Sequence, residues 1–579
     1  MLECLLPSAS NATASDERCL CRSDKSPSWS STAIYWVIAL VMVYLFYGEF
    51  LLSGRVGILD WGKDLFYFHF LYDSLHRFGG IPVSFLAIPS DITWFSTLQD
   101  LSYWSNPEVL SFSPFLLLAY IMPFMVFMKT YFAAHLLVAV WGVRFLAART
   151  GLGSVQSMAL LALFMLNPWL VQHLAIGYTP QISLCLVPLL VALLVSERFR
   201  PIQWAGASLV AAWIFYQGAL HLFVWLCMAV GVAMALIALL GRRANVLWRA
   251  VFFFTGTLVL ISPKVYAISK VYGVWERFPA VGYTSLADVW GLLTDDSFPM
   301  FLFPETYTKY NVAFYDGSLL VGAVFVLLVV WLVLEYLSKL CTVDALRLRD
   351  GVCLLAAAIF FVLGWNTIWR TVSGYLHLSS SEIYPFRFLF VAYNFMIFFV
   401  VDRIGRYHTS LPGRLRDAAI YAALAMTCLT FYGRNRELMP YLTENPNFYG
   451  DFSISEFYSN RVVAHSDQTQ LPVTPTPTGV TIIPAGIAGH HILLPWLPWG
   501  AIGHHVFHGA RPLREAPGGG AIIEVTSAAS PVVIEPDSSS RGLLLAGACL
   551  LFTGFVAATA LVHRKWSLGS QSNNRQKSS

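Results

Sequence analysis

Charge is scarce in this 579-residue chain: only 12% of the residues are Asp, Glu, Lys or Arg, against about a quarter in soluble domains. An ordinary soluble globule is excluded. No sign dominates, since 37 Lys and Arg stand against 33 Asp and Glu, and so even a balance argues against a nucleic-acid partner. Cysteine is also sparse. Three of the nine, Cys4, Cys19 and Cys21, lie in a polar leader and the others fall in or near apolar runs. The long outer loops therefore contain none, and no structural disulfide is expected there. Cys19-Leu-Cys21 lacks the second ligand pair of a zinc knuckle. The basic start and short apolar core of a cleaved secretory signal are missing as well.

What the chain has in quantity is apolar sequence, 57% of its residues. At roughly 20 apolar residues per crossing, the runs near 33–53, 128–148, 156–172, 180–196, 203–221, 223–241, 249–268, 318–336, 351–368, 386–402, 417–433 and 542–563 make about twelve membrane spans. Arg144, Arg149, Arg198, Arg200, Arg242, Arg243, Arg249, Lys339, Arg347, Arg349, Arg403, Arg406, Arg414 and Arg416 fall in alternate short loops. The positive-inside bias makes those loops cytoplasmic, and both termini with them. Residues 110–127 read as a juxtamembrane or re-entrant stretch before one true span; a helical hairpin over 110–148 is the alternative. The resulting plan is a cytoplasmic leader over 1–32 and a transmembrane module over 33–432 with outer loops 54–113 and 269–317. An extracytoplasmic segment follows over 433–541, then a final helix and cytoplasmic tail over 542–579.

With this orientation the long loops are all outside, where function is expected. Gly57-Ile-Leu-Asp60-Trp-Gly-Lys-Asp64 follows the first span directly. Asp64, Phe68, Leu71 and Leu75 have the spacing of an interfacial amphipathic helix ending at Gly79-Gly80-Ile81-Pro82. Asp60 is placed either to cap that helix or to act at the membrane surface. The second outer loop interleaves Glu276, Asp288, Asp295, Asp296, Glu305 and Asp316 with Trp275, Tyr283, Trp290, Tyr307 and Tyr310. Such a mixture fits either sugar binding or the interfacial aromatic belt.

Lys264, Lys270, Arg370 and Arg387 break the charge bias at outer span ends. They fit either snorkelling to headgroups or an anionic ligand, for which the Arg fork is well shaped. His135, His173 and His221 lie at or near spans, where an ionisable group is a functional candidate by default. After the linker-like Thr474-Pro-Thr-Pro-Thr, the runs 479–483, 521–526 and 531–536 read as strands of a small β domain. His490, His491, His504, His505 and His508 lie in this region but match no zinc spacing.

Several strings, in this order along the chain, resemble the large-loop glycosyltransferases of the GT-C superfamily, in particular the bacterial YfhO-like branch. They are the Asp60 region with Arg77-Phe-Gly-Gly-Ile-Pro82, then Ser105-Asn-Pro-Glu108 with Phe112-Ser-Pro114, then His173-Leu-Ala-Ile-Gly177-Tyr178. Phe314-Tyr-Asp-Gly317, Pro385-Phe-Arg387-Phe-Leu389 and the C-terminal β domain complete the series. Tyr178 stands where that branch would have His. The resemblance implies an all-α, GT-C-like polytopic membrane protein of about twelve helices in the plasma membrane, with a small extracytoplasmic β domain. It implies transfer of a sugar from a polyprenyl-phosphate donor to a lipid, polysaccharide or protein acceptor, with inversion.

Asp60 is then the expected base, with Asp64 as its rival. Arg387 is the first choice for the donor phosphate, followed by Lys264 and Arg370. His173, Tyr178, Glu382 and Glu305 are expected to bind substrate. No cofactor is required, although Asp295 and Asp296 could ligate a divalent metal. The competing functions are a transporter or flippase of a lipid-linked glycan, which calls for internal repeats and broken helices, and a polysaccharide polymerase or ligase.

Overall fold

The computed structural model describes residues 29–57, 61–78, 81, 103–104, 106–195, 200–242, 244–272, 282–294, 319–339, 348–375, 385–404 and 411–442. It resumes at 463–464, 471, 473–475, 480–482, 491–498, 502, 505–517, 520–527, 530–536 and 541–576. Asp60, Asp295, Asp296, Glu305, Glu382 and nearly all of the 1–32 leader lie outside the described residues.

The chain is predominantly helical. Its first half contains α1 (Trp29–Leu52), α2 (Trp61–Phe78), α3 (Phe124–Thr150), α4 (Ser154–Met165), α5 (Pro168–Ile176), α6 (Val187–Leu194), α7 (Pro201–Tyr216), α8 (Leu220–Leu240) and α9 (Ala244–Tyr272). These are followed by α10 (Leu286–Thr294), α11 (Ala323–Lys339), α12 (Leu348–Leu363), α13 (Asn366–Tyr375), α14 (Phe388–Asp402), α15 (Leu411–Leu442) and α16 (Arg541–Gln576). Among the described residues, seven helical segments are long and apolar enough to cross a membrane: Thr32–Leu52, Phe124–Thr150, Ser154–Ile176, Leu220–Leu240, Asn245–Ser269, Pro385–Asp402 and Leu544–Leu561. The protein is a membrane protein. Thr179–Leu194 and Ala323–Ser338 are apolar but shorter.

Helix occurs at each of the twelve apolar runs, but several have different ends from those expected, for local reasons. The 156–172 run breaks at Asn167-Pro168, because Pro168 has no N–H to continue the ladder. The carbonyls at the break are satisfied from other helices: Tyr393 donates to Leu163 at 2.8 Å, Tyr47 to Met165 at 2.5 Å and Asn435 to Leu166 at 2.9 Å. The 351–368 run breaks into α12 and α13 at Gly364, where the buried Tyr283 ring leaves no room for a Cβ. Tyr283 donates there to the Phe361 carbonyl and accepts, through its own carbonyl, the N–H of Asn366. α15 continues nine residues past the expected end at 433, held by Asn435 and by the buried Leu438 and Met439. Residues 110–148 contain a 3₁₀ turn, Pro114–Tyr120, and then a single long helix, α3.

The described residues of the C-terminal region form two four-stranded antiparallel sheets, in the orders β1-β4-β7-β6 and β2-β3-β8-β5. The strands are β1 (Val463–Ala464), β2 (Val473–Pro475), β3 (Val480–Ile482), β4 (His491–Pro498), β5 (His505–His508), β6 (Ala510–Glu515), β7 (Gly520–Val525) and β8 (Val532–Pro536). Ile492, Leu494, Ile523 and Val525 of one sheet and Ile482, Val532 and Ile534 of the other are buried. Part of the linker-like Thr-Pro stretch belongs to β2. Its position at a sheet edge tolerates Pro475, which cannot donate to a ladder. Pairing of β4 with β7 slips between Leu494 and Pro498, and of β6 with β7 between Pro512 and Arg514. Prolines occur at both places.

Candidate functional site

The site is built around the turn between α5 and the following 3₁₀ helix, Thr179–Leu186. Gly177 ends α5 in the left-handed region, at φ +94°, which glycine adopts without a Cβ penalty. Tyr178 and Thr179 therefore form the tip of a hairpin. Asp64, 3% exposed, is on the buried side of α2 with Phe68, Leu71 and Leu75, the stripe expected from their spacing. Its Oδ2 accepts the Thr179 N–H at 3.0 Å and also the Thr179 hydroxyl. Trp61, one turn earlier, donates its indole N–H to the Leu174 carbonyl. α2 is thus fastened to the hairpin at two points.

His173, fully buried, donates from Nδ1 to the Trp169 carbonyl at 2.7 Å. Its ring lies 3.9 Å from Trp169 and 5.6 Å from Tyr178 between centroids, and Trp169 stacks on Phe390 at 4.1 Å. Arg387, 4% exposed, ends the 3₁₀ turn Pro385–Arg387 that leads into α14. Its guanidinium carbon is 5.5 Å from the Trp225 ring centroid, 6.0 Å from Tyr178 and 5.9 Å from Phe386, within the range of cation–π attraction. Asp64, His173, Tyr178 and Arg387, all singled out in the sequence, are therefore joined through Thr179 and this set of rings.

Two cavities adjoin the cluster. A small one of mixed lining, about 10 Å³ and so large enough for about one water, lies among Asp64, Tyr67, Glu108, Tyr131, Thr179 and Gln217 together with the apolar Phe68, Leu110 and Pro180. The other, about 150 Å³ and almost wholly apolar, lies among α3, α4, α6, α8, α12 and α14, and includes Trp225, Phe390 and Phe398 in its wall. Trp225 has one face in the Arg387 group and a place in the wall of this cavity.

Other expected site residues are placed elsewhere. Lys264 is fully buried and donates to the Val109 carbonyl at 3.1 Å and the Ser111 hydroxyl at 2.5 Å, tying α9 to the 106–113 loop. Gly218, at φ +83°, accepts the same loop closely: a Cβ there would stand 2.3 Å from the Glu108 carbonyl oxygen. Arg370 is exposed on α13. No group of three or more His, Cys, Asp or Glu that could hold a metal occurs among the described residues.

Sequence reading missed Thr179, Gln217, Trp169 and Trp225. Gln217 donates from Nε2 to His135 Nε2 at 2.6 Å and accepts from Ser183 at 2.5 Å. His135 Nδ1 donates to the Tyr131 carbonyl at 2.8 Å, which together with Gln217 fixes the orientation of this ring. Only the Gly177 and Gly218 turn signals mark these positions in the sequence. Comparisons of the chain with protein-family models, curated proteins and solved structures return no match.

Proposed function

We propose that the chain is a GT-C-like membrane glycosyltransferase of about twelve spans. It transfers a sugar from a polyprenyl-phosphate donor to an acceptor at the extracytoplasmic face of the plasma membrane, with both termini cytoplasmic. One observation carries this reading: Arg387, buried among aromatic rings, stands against Trp225, whose ring also walls a large apolar cavity. A lipid phosphate has that combination of parts. Its anion suits the guanidinium fork and its tail suits a hydrocarbon-lined space.

In the proposed reaction the Asp60 carboxylate takes the proton of the acceptor hydroxyl as that oxygen attacks the anomeric carbon. The bond from that carbon to the phosphate oxygen breaks, its electron pair leaves with the lipid phosphate, and the anomeric centre inverts. Arg387 stabilises the departing charge, with His173 and Tyr178 beside it. The engagement of Asp64 with Thr179 supports a positioning role for that carboxylate, which fixes the hairpin tip next to Tyr178.

One observation favours the transporter alternative, the interruption of a buried helix at Asn167-Pro168. The carbonyls at that break bond to Tyr47, Tyr393 and Asn435 of neighbouring helices, which suits a structural joint better than a substrate path. The test is transfer of labelled sugar from synthetic polyprenyl-phosphate monosaccharides by purified protein. Asp60→Asn should lower turnover by about 10²–10⁴ with folding intact. Movement of a lipid-linked glycan across vesicles without any transfer would establish the alternative.

A further inference from the structure

The apolar cavity has two unlike ends. α8 lines it from Leu222 to Ile237, which at 1.5 Å per residue is about 22 Å, and α14 lines it from Phe390 to Phe398. At one end are Trp225 and Phe390, next to Arg387. At the other, α12 contributes Val352 and Cys353. One turn before these residues, Arg349 pairs with Asp402, and Asp350 pairs with Arg403 at 3.2 Å. All four charged side chains are buried, and Arg403 also lies 3.8 Å over the Phe399 ring. The two ion pairs join the start of α12 to the end of α14 and lie behind the apolar floor.

We propose that Val352 and Cys353, backed by this double ion pair, form a length stop for the hydrocarbon tail of the lipid phosphate whose head Arg387 binds. The proposal rests on the lipid-phosphate reading above. A tail leaving the bilayer for this cavity exchanges one hydrocarbon surrounding for another, so burial by itself supplies little selectivity. Selectivity has to come from fit. A short tail leaves the inner part of the cavity without contacts, a matching tail fills it, and a longer tail meets a floor that cannot recede without separating buried ion pairs.

The experiment measures binding of unglycosylated polyprenyl phosphates, from geranyl to undecaprenyl, to the full chain in lipid nanodiscs. Affinity should rise with chain length to a plateau or maximum. Cys353→Trp should move that point to a shorter chain and weaken the best wild-type ligand by about tenfold, leaving geranyl phosphate unaffected. Cys353→Ser, similar in size, should keep the wild-type profile. Ala233→Phe, which narrows the cavity from α8, gives a second route to the same shortening should the tryptophan variant not fold. Binding that climbs steadily with length and is the same in the filled variants would overturn the length stop alone, because the tail would then leave sideways. Failure of every phosphate to bind would overturn the lipid-phosphate reading together with it.

Discussion

Thr179 gives both its backbone N–H, at 3.0 Å, and its hydroxyl to Oδ2 of Asp64, a residue 115 positions earlier in the chain. The two contacts fix the hairpin tip that carries Tyr178 against α2. A hydrogen bond to a charged acceptor is worth about 1.5–3 kcal/mol. Thr179→Val should keep the amide contact, lose the hydroxyl contact and lower the melting temperature slightly. If Asp64 positions the tip, Thr179→Val and Asp64→Asn should both reduce sugar transfer without moving its pH profile. A collapse of turnover confined to Asp64→Asn, with the acid limb of the profile lost, would make Asp64 the base instead.

Arg387 combines charge with stacking, and the two can be separated. Arg387→Lys keeps a cation but loses the planar fork and much of the contact with Trp225 and Tyr178. It should weaken lipid-phosphate binding by about tenfold, as expected for a loss of 1–2 kcal/mol of cation–π attraction, and Arg387→Gln should weaken it further. Equal affinity in all three proteins, measured by equilibrium binding, would remove Arg387 from the site.

The bonds of Lys264 lead to a different expectation from that of a phosphate ligand. Its ammonium holds the Val109 carbonyl and the Ser111 hydroxyl, so Lys264→Met should lower thermal stability by disordering the 106–113 loop. Donor affinity in the folded fraction should stay within about twofold, a shift below 0.5 kcal/mol. A large loss of affinity with stability unchanged would return Lys264 to the phosphate.

The paired charges of α12 and α14 can be tested by double substitution. Removing one partner from a buried pair costs about 3–5 kcal/mol, whereas replacing both with apolar residues of similar volume is often neutral. Arg349→Met should therefore strongly destabilise the protein in detergent, and Arg349→Met combined with Asp402→Leu should recover most of the loss. Additive losses would show that each charge is held by groups other than its partner.

Asp288 provides a pH-dependent term outside the membrane-length helices. Burial pushes its carboxyl up, but hydrogen bonds from the N–H and hydroxyl of Thr284 and from Ser285 outweigh this and hold its pKa below the ordinary value. A depressed folded pKa means stability that is fully present above the unfolded value, about 3.9, and lost as pH falls through the folded one. Thermal unfolding should therefore show an acid-induced loss that Asp288→Asn diminishes, with the gap between wild type and variant closing at low pH.

Much of the helical framework could be read from the sequence because apolar run length is a property of the chain itself. The α2 stripe was legible for the same reason, since Asp64, Phe68, Leu71 and Leu75 are spaced at the helical repeat. Strands β3, β7 and β8 were visible as short Val/Ile runs between turn residues. β4 and β6, which contain prolines, were hidden because ladder partners on both sides of the interruptions decide their pairing. Likewise, no sequence pattern announces that Tyr283 ends α12 at Gly364.

The chain alone determined a membrane-adapted helical protein with a C-terminal strand region and a short set of unusual charges. Tertiary structure decided which of those charges are neighbours. Arg387, His173 and Tyr178 were chosen for separate reasons, yet they meet because α5 ends at Gly177 and α14 begins beside Trp225. Lys264, chosen on the same grounds as Arg387, bonds instead to the 106–113 loop. The reason is physical: a side chain's role depends on the partners that burial forces upon it, and those come from distant parts of the chain that only packing brings together.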